Sequence, residues 1–212
     1  NDGASVHETA NPQSAIRNPR FLDLCAAPGS KATLAAGLLP SATIVACDLH
    51  LHRLRTMRDL SARSGVTNLN LVQLDATREL PFAGEFDSIL LDAPCSGLGT
   101  LQRQPEIKWR ANEAKVRELA GLQKQLIARA ASQLRTGGLL TYAVCSTEPE
   151  EAEDVIAWFR DSNREFRDIT RERLIELGID PAPLLTATFG ARTFPHRCHT
   201  EGFFFCTLWK RR

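Results

Sequence analysis

Several features are scarce or missing in this chain of 212 residues, and each absence excludes a class of protein. No apolar run approaches the roughly 18 to 20 residues that a membrane-spanning helix needs, and the polar start carries no apolar signal segment. We therefore expect a soluble, cytoplasmic protein without a membrane partner. No segment has low complexity, and a composition that is 43% hydrophobic and 24% charged excludes a collagen-like, coiled-coil or largely disordered chain.

An excess of charge of one sign is also missing. Lys and Arg number 26 against 25 Asp and Glu, and the formal net charge is +1. A uniformly basic surface is thereby excluded, so that a polyanion would have to be bound locally. Basic residues outnumber acidic ones in residues 50–63 and 103–135, a pattern that fits either an RNA-binding track or ordinary solvated helix faces.

The six cysteines are scattered along the chain, and no Cys-x-x-Cys pair occurs among them. This spacing argues against a disulfide scaffold and against a structural zinc site, and we expect no bound metal. The run from Pro195 to His199, which contains His196 and Cys198, is a weak candidate for a local metal site. A thiol-redox or zinc protein remains a distant alternative.

From Phe21 onward, short apolar runs alternate with segments of helical period. The predicted strands are residues 20–25, 43–48, 69–74, 86–92 and 138–145, and the predicted crossover helices are residues 31–39, 51–64, 112–134 and 148–160. Such alternation is typical of βαβ units and predicts an α/β fold with a doubly wound, mostly parallel sheet. A last strand-like run, residues 202–209, is expected to return as an antiparallel C-terminal edge strand.

The organisation of the chain follows from the same pattern. Residues 1–19 show no period and are interpreted as an irregular lead-in, which leaves residues 20–212 as a single domain. The chain begins with Asn1 rather than Met, and we expect a processed chain or an excised domain.

Ligands of open parallel sheets bind beyond the carboxyl ends of the strands, and here these ends carry acids or thiols. The first strand passes into a helix through the small residues of the segment 23–31, which suits close backbone approach to a ligand. This loop matches neither the Walker A motif nor Gly-x-Gly-x-x-Gly. Asp48 ends the next strand, where it could accept hydrogen bonds from ribose hydroxyls or, alternatively, cap a helix.

Two cysteines, Cys95 and Cys145, follow apolar strands and precede turns. Ser146 or Thr147, together with Glu150, forms a capping signature, and the start of a helix beside a thiol favours the thiolate. The remaining thiols of the strands are interpreted as small buried hydrophobes. The acidic residues from Glu148 to Asp154 are interpreted as a helix N-terminal run that complements the dipole, with no catalytic role.

Four segments carry a resemblance to a known family. They are Leu22 to Lys31 (LDLCAAPGSK), Asp92 to Thr100 (DAPCSGLGT), Arg103 to Trp109 (RQPEIKW) and Tyr142 to Glu151 (YAVCSTEPEE). In this order they resemble the RNA cytosine-5 methyltransferases of the Fmu/Sun and NOL1/NOP2/Sun type, and most closely the bacterial 16S ribosomal RNA branch. The resemblance spans about residues 21–209, nearly the whole chain.

The departures from the family pattern are small. Ser30 stands where the family usually has a second Gly, and Val144 where Thr is common. The lead-in matches only loosely, and the usual amino-terminal RNA-binding region of the family is absent from this sequence.

The resemblance implies a Rossmann-like class I S-adenosylmethionine-dependent methyltransferase fold. It also implies transfer of a methyl group from S-adenosylmethionine to C5 of a cytosine in RNA, expected to be ribosomal RNA, through a covalent cysteine adduct at C6. We expect a monomer whose partner is RNA.

The resemblance also implies roles for individual residues. Cys145 would attack C6, and Cys95 would assist removal of the C5 proton or release of the enzyme. Asp92 would donate a proton towards N3, and Lys31 could orient Asp92. The implied S-adenosylmethionine site consists of Cys25, Ala26, Ala27, Pro28, Gly29, Ser30, Lys31, Asp48, Asp75 and Asp92.

Two alternatives remain open at this point. In DNA cytosine-5 methyltransferases, or in a related tRNA enzyme, the cysteine of the resembling Pro-Cys motif is the nucleophile, which would make Cys95 the attacking group. From a different class of protein, the chain could be a fragment that binds RNA without turnover.

Overall fold

The structure is a computed structural model that describes residues 18–169, 175, 185–186 and 190–211, without the side chains of Leu185, Thr186 and Cys198. Except for Asn18 and Pro19, the lead-in predicted for residues 1–19 lies outside these described residues. No described helix is long and apolar enough to cross a membrane.

The strands, in chain order, are β1 (Arg20–Asp23), β2 (Thr43–Asp48), β3 (Leu69–Gln73), β4 (Phe86–Asp92), β5 (Leu134–Val144), β6 (Phe166–Asp168), β7 (Leu185–Thr186), β8 (Ala191–Thr193) and β9 (Phe203–Lys210). The helices are α1 (Ser30–Leu38), α2 (Leu51–Arg63), α3 (Ile107–Arg110), α4 (Glu113–Ser132), α5 (Glu153–Ser162) and α6 (Pro195–Cys198). Short 3₁₀ turns occur at Leu98–Thr100 and Pro149–Glu151.

The described strands form one sheet in the order β3-β2-β1-β4-β5-β9-β8-β7, with β6 paired to β9. Strands β1 to β5 are parallel to their neighbours, whereas β9 runs antiparallel to β5. The predicted α/β class, the mostly parallel sheet and the antiparallel C-terminal edge are thus confirmed. The short strands β8 and β7, which the sequence pattern did not predict, extend that edge beyond β9.

Both faces of the sheet are covered, as successive side chains of β2 illustrate. Ile44 and Ala46 pack with residues of α1 and α2, whereas Val45 and Cys47 join the larger core that includes residues of α4 and α5. This alternation follows from the two-residue period of a strand. Because strands β1 to β5 are parallel to one another, their carboxyl ends all lie at one edge of the sheet.

Two boundaries differ from the predictions by more than two residues. The helix predicted over residues 148–160 begins only at Glu153, because a 3₁₀ turn at Pro149–Glu151 precedes it and Glu151 points into the core. Strand β5 begins at Leu134 rather than at residue 138, and its register against β4 shifts between Phe86 and Ser88.

Asn68 fixes the junction between α1 and the start of β3. Its Nδ2 group donates to the backbone oxygens of Ala36, Leu39 and Ala42 at 3.3, 2.9 and 3.0 Å. The Asn68→Asp change replaces this donor by an acceptor that faces three carbonyl oxygens. We expect it to lower the free energy of unfolding by about 2 to 3 kcal/mol, measured by urea denaturation.

The matched control is Asn70→Asp, because Asn70 donates only one such bond, to the Ile44 oxygen at 3.2 Å. It should cost less than about 1 kcal/mol. Equal losses in the two variants would contradict the role given to Asn68.

Candidate active site

The loop from β1 to α1 lies at the carboxyl edge of the sheet. The Ala26 amide donates to the Cys47 oxygen at 2.8 Å, which holds the loop against the end of β2. Gly29 starts α1 with φ +106°, and a Cβ there would lie 2.4 Å from Cγ of Met57. Glycine is therefore needed at this position, both for the backbone conformation and for the close approach of α2.

Carboxylates surround this loop, and Asp23 is the most deeply buried of them. It is 1% exposed, and neither of its carboxylate oxygens has a partner with hydrogen-bond geometry among the described residues. Burial, followed by the charge of Asp92, raises the pKa of Asp23 to about 7. The Lys31 charge and the Cys25 backbone amide oppose this shift, and the Asp48 charge adds a smaller increase. Such a cluster favours a cationic ligand or one with hydroxyl donors.

Asp48 and Asp75 end β2 and follow β3, as predicted. The Asp48 carboxylate accepts a bond from the His50 amide at 2.8 Å and lies 3.5 Å from Nη1 of Arg53. Since His50 is the N-cap residue of α2, Asp48 does not itself cap this helix. Hydrogen bonds from the hydroxyl and the amide of Thr77 lower the pKa of Asp75.

Lys31 and Asp92 form an ion pair, with Nζ and Oδ2 2.5 Å apart. Burial lowers the pKa of Lys31, but the hydrogen bond and the charge of Asp92 outweigh it, so that the net shift is upward. The charge of Lys31 also lowers the pKa of Cys145, so that the ammonium group acts on both the acidic loop and the thiol pair.

The two candidate catalytic thiols are neighbours, with the Sγ atoms of Cys95 and Cys145 3.2 Å apart. The hydrogen bond from Cys95 is the largest influence on Cys145 and lowers its pKa, with a smaller contribution from the Lys31 charge. The same bond raises the pKa of Cys95, which therefore keeps its proton. By contrast, burial raises the pKa of Cys47 to about 12. Of this thiol pair, Cys145 is the one poised as a thiolate.

A buried carboxylate, that of Glu151, joins the two thiol-bearing loops. Glu151 is 0% exposed, and its backbone oxygen accepts a bond from the Tyr142 hydroxyl at 2.6 Å. The carboxylate accepts four bonds, from Ser96 N (2.8 Å), Ser96 Oγ (2.5 Å), Ser146 Oγ (2.6 Å) and Gln123 Nε2 (3.1 Å). Because Ser96 follows Cys95 and Ser146 follows Cys145, Glu151 fixes the separation of the two thiols.

The interpretation of the acidic run as helix-dipole charges is wrong for Glu151. The capping signature of Ser146 with Glu150 also does not form, since the Ser146 hydroxyl donates to Glu151 and accepts from the Glu148 amide at 3.2 Å. The sequence did contain a signal for the burial of Glu151. This residue lies four residues before the buried Val155, and in a helical period it therefore falls on the inward side.

Gly99 holds the loop after Cys95 against two other segments. Its amide donates to the Cys145 oxygen at 3.0 Å, and its own oxygen accepts from the Gly202 amide at 2.8 Å. A Cβ at Gly99 would lie 1.9 Å from the Gly202 oxygen, so that only glycine permits this approach.

Among the described residues, no group of three or more His, Cys, Asp or Glu side chains could hold a metal ion. The candidate metal site at residues 195–199 lies partly outside what is described, since the side chain of Cys198 is not included.

A doubly wound sheet in the order 3-2-1-4-5 with a reversed strand beside β5 is the Rossmann-like class I methyltransferase fold, and an acidic loop and paired thiols lie at its carboxyl edge. Residues 11–209 match the family described as 16S rRNA methyltransferase RsmB/F. The chain therefore belongs to this family, which confirms the recognised resemblance.

Individual relatives support this family assignment. Ribosomal RNA small subunit methyltransferase B of Yersinia pseudotuberculosis is 35% identical over 201 residues, which cover 91% of this chain and 42% of that protein. Two solved structures are similar. PH0851 has a TM-score of 0.79 and 33% identity, over 91% of this chain and 43% of its own. NSun6 from Pyrococcus horikoshii, solved with SFG, has a TM-score of 0.76 and 30% identity, over 92% and 49%. The chain thus spans less than half of each relative.

The thiol pair predicts the alkylation behaviour of the protein. Iodoacetamide reacts with thiolates, and we expect it to label Cys145 before the other cysteines near neutral pH. Cys95→Ala removes the donor that lowers the pKa of Cys145, so the midpoint of the pH–rate profile should move to higher pH. Alkylation, measured by mass spectrometry, should then be several-fold slower below the wild-type midpoint and equal at high pH.

Cys206→Ala serves as the control, because Cys206 is 1% exposed in the sheet and should leave the profile unchanged. A Cys95→Ala profile that coincides with the wild type would contradict the proposed hydrogen bond.

Glu151→Gln tests the link between the thiol loops. The new amide group turns donor hydrogens towards groups that themselves donate to Glu151, and we expect a loss of about 2 to 4 kcal/mol in the free energy of unfolding. Glu150→Gln is the matched control, because Glu150 is exposed. Urea denaturation that gives equal stabilities for the two variants would disprove the linking role.

Proposed function

We propose that this chain carries the methyltransferase activity of its family and transfers a methyl group from S-adenosylmethionine to C5 of a cytosine in RNA. Membership of the RsmB/F family supports ribosomal RNA as the substrate, and hence the cytoplasm as the place of action. The observation that carries the proposal is the pair of thiols, with the Cys145 sulfur 3.2 Å from the Cys95 sulfur and the pKa of Cys145 lowered by the Cys95 hydrogen bond and, less strongly, by the Lys31 charge. We further propose that residues 20–212 form the methyltransferase domain and act as a monomer.

The acidic loop fits the proposed cofactor. S-adenosylmethionine supplies a methyl group on a positively charged sulfur, and it carries ribose hydroxyls that can donate hydrogen bonds. The unpartnered oxygens of Asp23 and the neighbouring charges of Asp48 and Asp92 suit such a cation, since burial of the Asp23 carboxylate without a paired counter-charge is costly. Support also comes from NSun6, which was solved with SFG, an analogue of S-adenosylmethionine.

The backbone of Cys25, Ala26, Ala27, Pro28, Gly29 and Ser30 would line the cofactor. Asp48 would accept the ribose hydroxyls, since its Oδ2 atom has only a long contact, 3.5 Å, with Arg53. Asp75 is proposed at the far side of the cofactor, and Asp92 at the side that faces the thiols.

In the proposed reaction the Cys145 thiolate forms a bond to C6 of the cytosine. The C5–C6 double bond gives up its electron pair to the ring, and the negative charge that develops towards N3 is met by a proton that Asp92 relays from the Lys31 ammonium, its positioning partner. C5 thereby becomes nucleophilic enough to accept the methyl group. The proton returns to this pair when C5 takes up the methyl group.

The release step uses the coupling between the two thiols. Once Cys145 is bonded to C6, its sulfur carries no negative charge, and the main cause of the raised Cys95 pKa is removed. Cys95 can then lose its proton to solvent and, as a thiolate, take up the proton from C5. The returning electrons break the C6–S bond, and Cys145 leaves as a thiolate. Because the hydrogen bond between the thiols raises the pKa of Cys95 and lowers that of Cys145, it does not favour the alternative in which Cys95 attacks.

The test uses labelled S-adenosylmethionine with 16S ribosomal RNA, offered both naked and in the small ribosomal subunit. Cys145→Ser should lower methyl transfer by about a thousandfold or more, since a hydroxyl is a far weaker nucleophile near neutral pH. Cys95→Ala should instead accumulate an RNA–protein adduct that persists in denaturing gels. Cys206→Ser is the matched control with unchanged transfer, and bisulfite sequencing of the product RNA locates the modified cytosine.

Retained transfer by Cys145→Ser would disprove its role as nucleophile. Binding of S-adenosylmethionine in calorimetry without methyl transfer to either RNA would favour the non-catalytic RNA-binding alternative instead.

A further inference from the structure

Trp109 has no role in the chemistry described above, yet it is unusually placed for a tryptophan. With 80% of its surface exposed, it is the most exposed of the large apolar side chains among the described residues. It lies on the short helix α3, whose Ile107 is half-buried and anchors the helix. A ring this exposed contributes little to the core, and an exposed aromatic surface of this size is typical of a binding contact.

Helix α3 is attached to the loop of the thiol pair. Cδ1 of Ile107 lies 3.0 Å from the position that a Cβ of Gly97 would occupy, and Gly97 is two residues from Cys95. Backbone bonds from Gln104 N to Thr100 O (3.0 Å) and from Ile107 N to Gln104 O (3.1 Å) continue the connection. The helix that carries Trp109 is thus attached to the loop of the thiol pair.

The surroundings of Trp109 are basic. Nζ of Lys108 lies 4.8 Å from its ring centroid, and Arg110 follows it directly. Within the described residues, neither Lys108 nor Arg110 is paired with a carboxylate, whereas Arg103 is paired with Glu201. In the stretch 103–110, Glu106 is the one acidic residue against three basic ones, Arg103, Lys108 and Arg110.

We propose that Trp109 is a stacking platform for an unpaired RNA base next to the target cytosine, with Lys108 and Arg110 binding the adjacent phosphates. This inference rests on the proposed function, because it takes the partner to be RNA. Attack on C6 requires the target base to leave its stack, which leaves a neighbouring base without a stacking partner. An exposed indole flanked by two cations supplies that partner together with charge for the backbone.

The experiment measures binding of a fluorescein-labelled, unstructured oligocytidylate of about twelve nucleotides by anisotropy at several salt concentrations. Trp109→Ala should weaken binding about 5- to 100-fold, because stacking on an aromatic ring contributes about 1 to 3 kcal/mol per base. Trp109→Phe keeps an aromatic face and should stay within about threefold of the wild type. The matched control is Trp158→Ala, because Lys124 covers this ring in the same way, at 5.7 Å.

The salt dependence separates stacking from charge. Trp109→Ala should leave the slope of log K against log salt unchanged, whereas the double change Lys108→Ala, Arg110→Ala should reduce it by about 1 to 1.5, at about 0.7 per phosphate contact of a single strand. In a Trp158→Phe, Trp209→Phe variant only Trp109 fluoresces, since the chain has three Trp, and the oligonucleotide should quench this fluorescence.

Unchanged affinity of Trp109→Ala, equal losses in Trp109→Ala and Trp109→Phe, or no quenching would each overturn the stacking role. Methyl transfer by the wild type is assayed in parallel. If transfer occurs while Trp109→Ala binds normally, only the platform is disproved. If no RNA is methylated but Trp109 still binds oligocytidylate as expected, the platform stands and the proposed function fails.

Discussion

The buried carboxylate of Glu151 is the interaction on which the arrangement of the candidate site depends. A charge without solvent contact is tolerated only when hydrogen bonds replace its hydration, and here the donors come from the loop after β4, the loop after β5 and helix α4. None of these segments can move without leaving a donor or an oxygen of Glu151 unpaired. The separation of the two thiols, and with it the place of the shared proton, is therefore a property of the fold rather than of flexible side chains.

Charge is divided along the carboxyl edge in a way that suits two substrates. One end holds the unpaired carboxylate of Asp23, and the other holds Cys145, whose pKa is lowered. Negative charges in a partly dehydrated cleft repel each other, and the Lys31 ammonium, bound to Asp92, offsets this repulsion because its charge acts on both Asp23 and Cys145. The same ion pair would thus touch the methyl donor on one side and the base on the other. This shared position gives a physical reason for a lysine in the first turn of α1.

The sequence predicted those parts of the molecule that local chemistry determines. Strands β2 and β4 have the bounds expected from their apolar runs, which end in Asp48 and Asp92. The short strands β6 and β8 escaped prediction, since they are held by pairing with β9 and not by a period of their own. Glu151 was misjudged because its charge pattern matched a helix terminus, whereas its partners, Ser96 and Gln123, are distant in sequence. The residues of the cofactor loop remain predictions, as do the catalytic roles.

The bond between Gly202 and Gly99 has a consequence for the order of events during synthesis. Both thiols have left the ribosome once β5 is made, but Gly202, which holds the loop after Cys95 through Gly99, follows only 57 residues after Cys145. Until then this loop is held by its bonds to Glu151 and to the Cys145 oxygen. The antiparallel strand β9 therefore adds the last contact of the loop, and the surroundings of the two thiols are completed late in folding.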